Sequence, residues 1–173
     1  MQPLTTYAQW RDLWLASRPA NANLKSFSEG NLLVLASASP DRLRVFLRWA
    51  RRVGLELPTA IVLRAEAADA LDWKDYPPVK ERHTLPADKA FSTQILKTLL
   101  GSASFTNALC LLNTRWGIDY DSVFDAMAAF AERTFAFNVE DQLLMAPAAS
   151  VRNVRETLLE IQPSETAPRS GLL

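Results

Sequence analysis

The sequence predicts a mixed α+β fold, in which a small βαβ-like N-terminal portion packs against a mainly helical C-terminal portion. Two short apolar runs, residues 31–36 and 59–64, flank a segment with helical periodicity and resemble a parallel strand pair. Helical stripes dominate residues 88–161, where a period of two appears only over residues 134–139. An all-α fold is the alternative, because periodicity does not separate strand from helix in runs this short.

The segment Ser37–Val53 is predicted to form a helix with one basic face. Ser39 suits the N-cap position and Pro40 the first helical position. The predicted buried arc contains Leu43, Phe46, Leu47, Ala50 and Val53. The opposite, basic arc contains Arg44, Arg48, Arg51 and Arg52. Trp49 falls at the edge between the two arcs.

Apolar repeats predict the remaining helices. A first helix is expected from Tyr7 to about Ala16, and a last helix is expected to begin at Ser150. Between them, three helices are predicted from three stripes: Phe91, Ile95 and Leu99, ending at Gly101; Phe105, Leu109, Leu112 and Trp116, ending at Gly117; and Tyr120, Val123, Phe124, Met127, Phe130 and Ala131.

We expect residues 1–162 to form a single globular domain, followed by a C-terminal tail at 163–173. Residues 72–88 are predicted to be a break or a functional loop, because they contain the pair Pro77 and Pro78 within a polar stretch. Four residues of this segment are predicted to form an interface: Trp73, Tyr76, Arg82 and His83.

Composition indicates a cytoplasmic bacterial protein. The sequence contains no apolar run of about 20 residues, and its N-terminus does not resemble a signal peptide. Cys110 is the only cysteine, which excludes an internal disulfide and a cysteine-based zinc site. The abundance of Ala, Leu and Arg fits a bacterial origin, and we expect no contact with membranes.

Charge is distributed unevenly along a chain that is neutral overall. Residues 1–55 carry eight Lys or Arg and three Asp or Glu, whereas residues 115–173 carry five and nine. The basic and acidic thirds are therefore suited to different partners, or to each other in a homo-oligomer.

The sequence predicts a non-enzymatic binding protein, a subunit or adaptor of a larger assembly. The arginine face, with Trp49 beside it, is expected to dock an acidic protein partner. The alternative is a nucleic-acid-binding subunit or regulator that contacts backbone phosphates through the same face. A third possibility is an enzyme whose site follows no familiar motif.

No catalytic residue, cofactor or metal is predicted. The aspartates Asp119, Asp121 and Asp125 stand at a predicted helix start, where carboxylates complement the helix dipole. His83, the only histidine, lies in a charged stretch outside any nucleophile motif, and Cys110 lies between leucines as a buried thiol would.

Overall fold

A computed structural model describes residues 27–55, 59–72, 79–115, 117 and 120–146, all of which fall within the unit Asn21–Ala146. The predicted first helix, the predicted last helix and the predicted tail lie outside these residues. Within them, no helix has the combination of length and apolar character that crossing a bilayer requires.

Six strands form one sheet in the order β3-β2-β1-β4-β5-β6. The strands from β1 to β5 pair in parallel, and β6 pairs antiparallel with β5. Leu32 of β1 lies opposite Thr59 of β2 on one side and Asn107 of β4 on the other. The strands are β1 (Leu32–Leu35), β2 (Thr59–Arg64), β3 (Glu81–Leu85), β4 (Phe105–Leu111), β5 (Ala131–Phe137) and β6 (Leu143–Met145).

Helices cover both faces of this sheet. They are α1 (Pro40–Arg52), α2 (Ala65–Asp69), α3 (Thr93–Leu100) and α4 (Asp121–Phe130). Because side chains alternate across a strand, β1 contributes Leu32 and Val34 to the core under α1 and α2. It contributes Leu33 and Leu35 to the core under α3 and α4. The central strands are therefore buried on both sides.

The predicted helix at Ser37–Val53 is confirmed as α1. Ser39 is the N-cap, its side chain accepts a hydrogen bond from the backbone N–H of Arg42, and Pro40 opens the helix. The buried residues of α1 are Leu43, Phe46, Leu47 and Ala50, as predicted. The prediction is wrong for Val53, which follows the last helical residue and is 37% exposed.

The prediction of an α+β fold with a mainly helical C-terminal portion is wrong, and so is the all-α alternative. Strands and helices alternate along the chain, and the strand order is that of a doubly wound α/β fold. The segment predicted as a helix from Phe105 contains β4 instead. Its residues from Asn107 to Leu111 are buried, because the strand is covered on both faces.

Of the other predicted elements within the described residues, two helices and one strand are confirmed, and one strand was not predicted. The stripe beginning at Phe91 is confirmed as a helix, α3, which begins at Thr93 and has Gly101 as its C-cap. The stripe beginning at Tyr120 is confirmed as α4, except that Ala131 belongs to β5. The period of two at residues 134–139 corresponds to β5, which begins earlier, at Ala131. The segment 81–85, predicted within a loop or break, is the edge strand β3.

Candidate functional site

The strand order creates a switch point between β1 and β4. The connection after β1 passes to one face of the sheet as α1, and the connection after β4 passes to the other face as α4. Doubly wound folds bind their ligands outside the carboxyl ends of the strands at such a point. Among the described residues, that edge is formed by residues 36–39 after β1 and by residues 113–115, Gly117 and Tyr120 after β4.

Hydrogen bonds cross the switch point and join its two sides. The Ser37 hydroxyl donates to the carbonyl oxygen of Leu111 at 2.8 Å, and the Ser39 backbone N–H donates to Oδ1 of Asn113 at 3.2 Å. The Tyr120 hydroxyl accepts from the Asn113 backbone N–H at 2.9 Å and donates to the Ser37 carbonyl at 3.5 Å. These four hydrogen bonds thus join the segment after β1 to the segment after β4.

Arg42 extends this bracing from α1 to the turn between β5 and β6. Its Nη2 donates to the carbonyl oxygen of Asn138 and, at 3.0 Å, to Oδ1 of Asp141. The guanidinium also lies over the ring of Phe137, 5.6 Å from its centroid. The side chain is 16% exposed, and its buried Nε has no acceptor among the described residues.

Asn138 organises that turn from a fully buried position. Its Oδ1 accepts from the backbone N–H groups of Glu140 and Gln142, each at 3.0 Å. Its Nδ2 donates to the carbonyl oxygen of Arg115 at 3.2 Å, and Arg115 forms an ion pair with Glu140 at 3.1 Å. The three loops at the carboxyl edge therefore brace one another through these hydrogen bonds.

The exposed arginines of α1 lie at the opposite edge of the sheet. Since α1 joins two parallel strands, it runs back towards the amino ends of the strands, and its last turns reach that edge. Arg48, Arg51 and Arg52 are exposed there. Among the described residues, no carboxylate forms an ion pair with Arg48 or Arg52. We call these three residues the basic end of α1.

The other two predicted binding residues of α1, Arg44 of the arginine face and Trp49 beside it, make internal contacts. Arg44 pairs with Asp41 and donates from Nη2 to the carbonyl oxygen of Ala70 at 2.7 Å. Trp49 packs against the rings of Phe46 and Phe137, with centroid distances of 5.8 and 5.2 Å. A role of either residue in binding stays a prediction. A partner that binds Arg44 or Trp49 would compete with these internal contacts.

Two of the four predicted interface residues lie in a strand, and the other two lie outside the described residues. Arg82 and His83 lie in the edge strand β3, and His83 Nε2 is 3.2 Å from Glu81 Oε2. Trp73 and Tyr76 lie outside the described residues. The register places His83 beside Val62 of β2, which in turn lies beside Leu35 of β1. His83 is thus two strands, or about 10 Å, from Leu35, which lies two residues before Ser37.

In the described part of the chain, the remaining candidate residues, the aspartates and Cys110, do not come together in a catalytic or metal-binding site. No three His, Cys, Asp or Glu residues there are arranged to hold a metal ion. Asp121 and Asp125 belong to α4, and Asp119 is outside the described residues. Cys110 is a buried free thiol, and burial raises its pKa far above the ordinary range, which keeps it protonated and unreactive.

Sequence reasoning missed Arg42, Asn113, Tyr120, Asn138 and Asp141, because their partners come from distant parts of the chain. One local signal existed: Asn138 interrupts the apolar end of the period-two segment, and a polar residue at the end of a strand marks a loop at the sheet edge. Comparison with protein-family models, curated proteins and solved structures gave no match.

Proposed function

We propose that this protein is a non-enzymatic binding protein, a subunit or adaptor that docks an acidic protein surface on the basic end of α1. The single observation behind this proposal is the exposure of Arg48, Arg51 and Arg52 within two turns of a helix whose other side is buried. A helix anchored in this way offers its guanidinium groups from a rigid base, and guanidinium groups suit bidentate contacts with carboxylates.

The carboxyl edge supports a binding role over an enzymatic one. The Ser37 hydroxyl bonds the Leu111 carbonyl there, and Tyr120 bridges Asn113 and Ser37, so these groups brace the edge of the sheet. We propose the cytoplasm as its location, as the amino-acid composition indicates.

An acidic protein fits the surface better than a nucleic acid does. Asp41, Glu66 and Asp69 are exposed on α1 and α2, on the same face of the sheet as the basic end. A long polyanion lying on that face would meet these carboxylates, which would oppose its phosphates. A folded protein can present carboxylates to the arginines alone.

Fluorescence anisotropy with two labelled probes, a glutamate-rich peptide and a DNA duplex, tests this function. The salt concentration is raised from about 0.01 M to 1 M, which shortens the Debye length from about 30 Å to 3 Å. The test variant is Arg48→Glu/Arg52→Glu. The matched control, Lys89→Glu/Lys97→Glu, makes the same change in net charge at exposed positions outside α1.

We expect the wild type and the lysine control to bind the peptide at low salt, and the arginine variant to lose that binding. Equal binding by both variants would mean that the contact is not at the basic end, and would overturn the proposal. Tighter binding of DNA than of peptide, lost in the arginine variant, would replace the acidic protein by a nucleic acid.

A further inference from the structure

We propose that the acidic surface docked by the basic end of α1 belongs to a second copy of this chain, with the two α1 helices antiparallel across a twofold axis. This inference rests on the proposed function, because it names the partner of the same surface. Its basis is a separation of charge along one face of the molecule, on which the acidic groups lie at the start of α1 and the basic groups at its end.

The exposed side of α1 changes sign along its length. Asp41, Arg44, Arg48 and Arg52 follow one another at spacings of three and four residues, which places them in one stripe along the helix. Asp41 stands in the first turn with its side chain 84% exposed, and the basic end occupies the last turns. With 13 residues at about 1.5 Å each, the helix separates the two ends by roughly 15–20 Å.

The helix α2 strengthens the acidic end of this stripe. The hydrogen bond from Arg44 Nη2 to the Ala70 carbonyl, at 2.7 Å, fixes the end of α2 beside the first half of α1. Glu66 and Asp69 are exposed on α2. Three carboxylates, those of Asp41, Glu66 and Asp69, therefore belong to one half of the surface, where Arg44 pairs with Asp41. The basic end of α1 belongs to the other half.

A twofold axis near the middle of α1 makes this surface complementary to itself. In an isologous interface, each patch meets its counterpart twice. The acidic half of one copy would face the basic half of the other, and the same contact would recur on the far side of the axis. An unrelated acidic protein large enough to cover the whole face would meet repulsion at Asp41, Glu66 and Asp69. A second copy supplies arginines at that place.

The net charge of the whole chain is zero, so two copies approach each other without overall repulsion. The interaction depends instead on the local arrangement of opposite charges, which steers association and sets the register. We therefore expect a dimer that forms at low ionic strength and dissociates as salt is added.

Charge exchange between two variants tests this interface, with the mass measured by light scattering on a sizing column. Arg48→Glu/Arg52→Glu places carboxylates opposite carboxylates in its own dimer. Glu66→Lys/Asp69→Lys places cations opposite cations. When the two variants are mixed, both contacts of the heterodimer join opposite charges, and the same holds for a homodimer of the variant with all four substitutions.

We expect the wild type to be dimeric at low salt, and each double variant alone to weaken dimerisation by at least about tenfold, because like charges then face each other. The equimolar mixture and the fourfold variant are expected to recover the dimer. The control Lys89→Glu/Lys97→Glu should remain dimeric. If a reversed variant does not fold, as judged by circular dichroism, the neutral variant Arg48→Gln/Arg52→Gln replaces it and is expected to be mainly monomeric.

A wild type that stays monomeric at low salt would overturn this inference, as would a dimer that neither double variant weakens, or a mixture that does not recover the dimer. These outcomes are distinct from failure of the proposed function. If the protein is monomeric but binds the glutamate-rich peptide through Arg48 and Arg52, the proposed docking function holds, and only the proposal that a second copy is the partner fails. If the protein is monomeric and binds no acidic probe, both the proposed function and the proposed dimer fail.

Discussion

Arg44 and Ala70 join the first half of α1 to the end of α2, through a hydrogen bond of 2.7 Å from the guanidinium Nη2 to the backbone carbonyl oxygen. The last carbonyl groups of a helix have no partner within the helix, and a cationic side chain at that end satisfies both the hydrogen bond and the helix dipole. Arg44 therefore has a structural contact that Arg48, on the same stripe of α1, does not make within the described residues.

Replacing Arg44 by alanine is expected to lower the free energy of unfolding by about 0.5–1 kcal/mol, a modest loss because the side chain is 33% exposed and its charge is screened. Arg48→Ala, at an exposed position, is the control and should change stability by less than about 0.5 kcal/mol. Urea denaturation followed by circular dichroism measures both. Equal effects of the two substitutions would show that the Ala70 contact contributes nothing.

Arg42 is expected to contribute more to stability than any exposed arginine of α1. Its replacement by alanine removes the donor to Asn138 and Asp141 and the contact with Phe137, and should cost about 2–3 kcal/mol. Arg42→Lys keeps the charge but lacks the planar fork, so an intermediate loss is expected. The same urea titrations measure these losses. A loss below about 0.5 kcal/mol for Arg42→Ala would mean that the bracing of the carboxyl edge does not depend on this residue.

How far the sequence predicts this fold depends on how each element is buried. The helix α1 has one buried and one exposed face, so its periodicity and its cap predict it well. The strand β4 is covered on both faces, and its buried residues, Asn107–Leu111, form a nearly continuous apolar run without a period of two. Within that run, the spacing of Phe105, Leu109 and Leu112 coincides with a helical repeat, which explains the wrong prediction.

The strand β3 escaped prediction for the opposite reason. It lies at the edge of the sheet and exposes Glu81, Arg82 and Thr84, so its sequence resembles a polar loop. Charged side chains on an edge strand also discourage pairing with other chains. Sequence alone cannot distinguish such a strand from a loop, because the hydrogen bonds that define it come from β2.

The site was harder to predict than the fold. Arg42 and Arg48 are both arginines of one helix, and helical periodicity places only Arg48 on the exposed arc, without showing what Arg42 contacts. The difference lies in Asn138, which is 96 residues from Arg42 in the chain and reaches it only when β5 joins the sheet. Prediction from local patterns therefore identifies the arginine-rich helix, but it does not identify which arginine forms hydrogen bonds within the protein.

Gly30 is expected to tolerate alanine far less well than Gly54, although the two glycines have similar positive φ angles of 79° and 72°. A Cβ at Gly30 would lie 2.1 Å from Oγ1 and 2.6 Å from Cβ of Thr106, whereas a Cβ at Gly54 would meet nothing within 4 Å. Both substitutions cost about 1–2 kcal/mol in backbone strain. Gly30→Ala should cost a further 1–3 kcal/mol, approximately, through overpacking against β4.

Thermal and urea denaturation of the two alanine variants measure this difference. Thr106→Ala in the Gly30→Ala background is the diagnostic partner, because it removes Oγ1 and Cγ2, which would lie 2.1 and 2.9 Å from the added Cβ. It should restore part of the lost stability. Equal stabilities for Gly30→Ala and Gly54→Ala would mean that the segment before β1 shifts freely and is not held against Thr106.

Cys110 is expected to make the folded state less stable at alkaline pH. Burial within β4 raises the pKa of its thiol far above the ordinary range, so the folded protein keeps the proton while the unfolded chain loses it above a pH of about 8.5. The unfolded state then binds fewer protons, and the free energy of unfolding falls by about 1.4 kcal/mol per pH unit from this group. The full contribution is present below the unfolded pKa and is lost as pH rises.

Cys110→Ala isolates this effect, since every other titrating group is common to both proteins. The variant should be less stable at neutral pH because it leaves a small cavity, and the difference from wild type should shrink and then reverse between roughly pH 9 and 10.5. A thiol reagent should label the folded wild type only at the rate of unfolding. Parallel pH profiles for the two proteins, or rapid labelling under native conditions, would show that the thiol is not held protonated within the sheet.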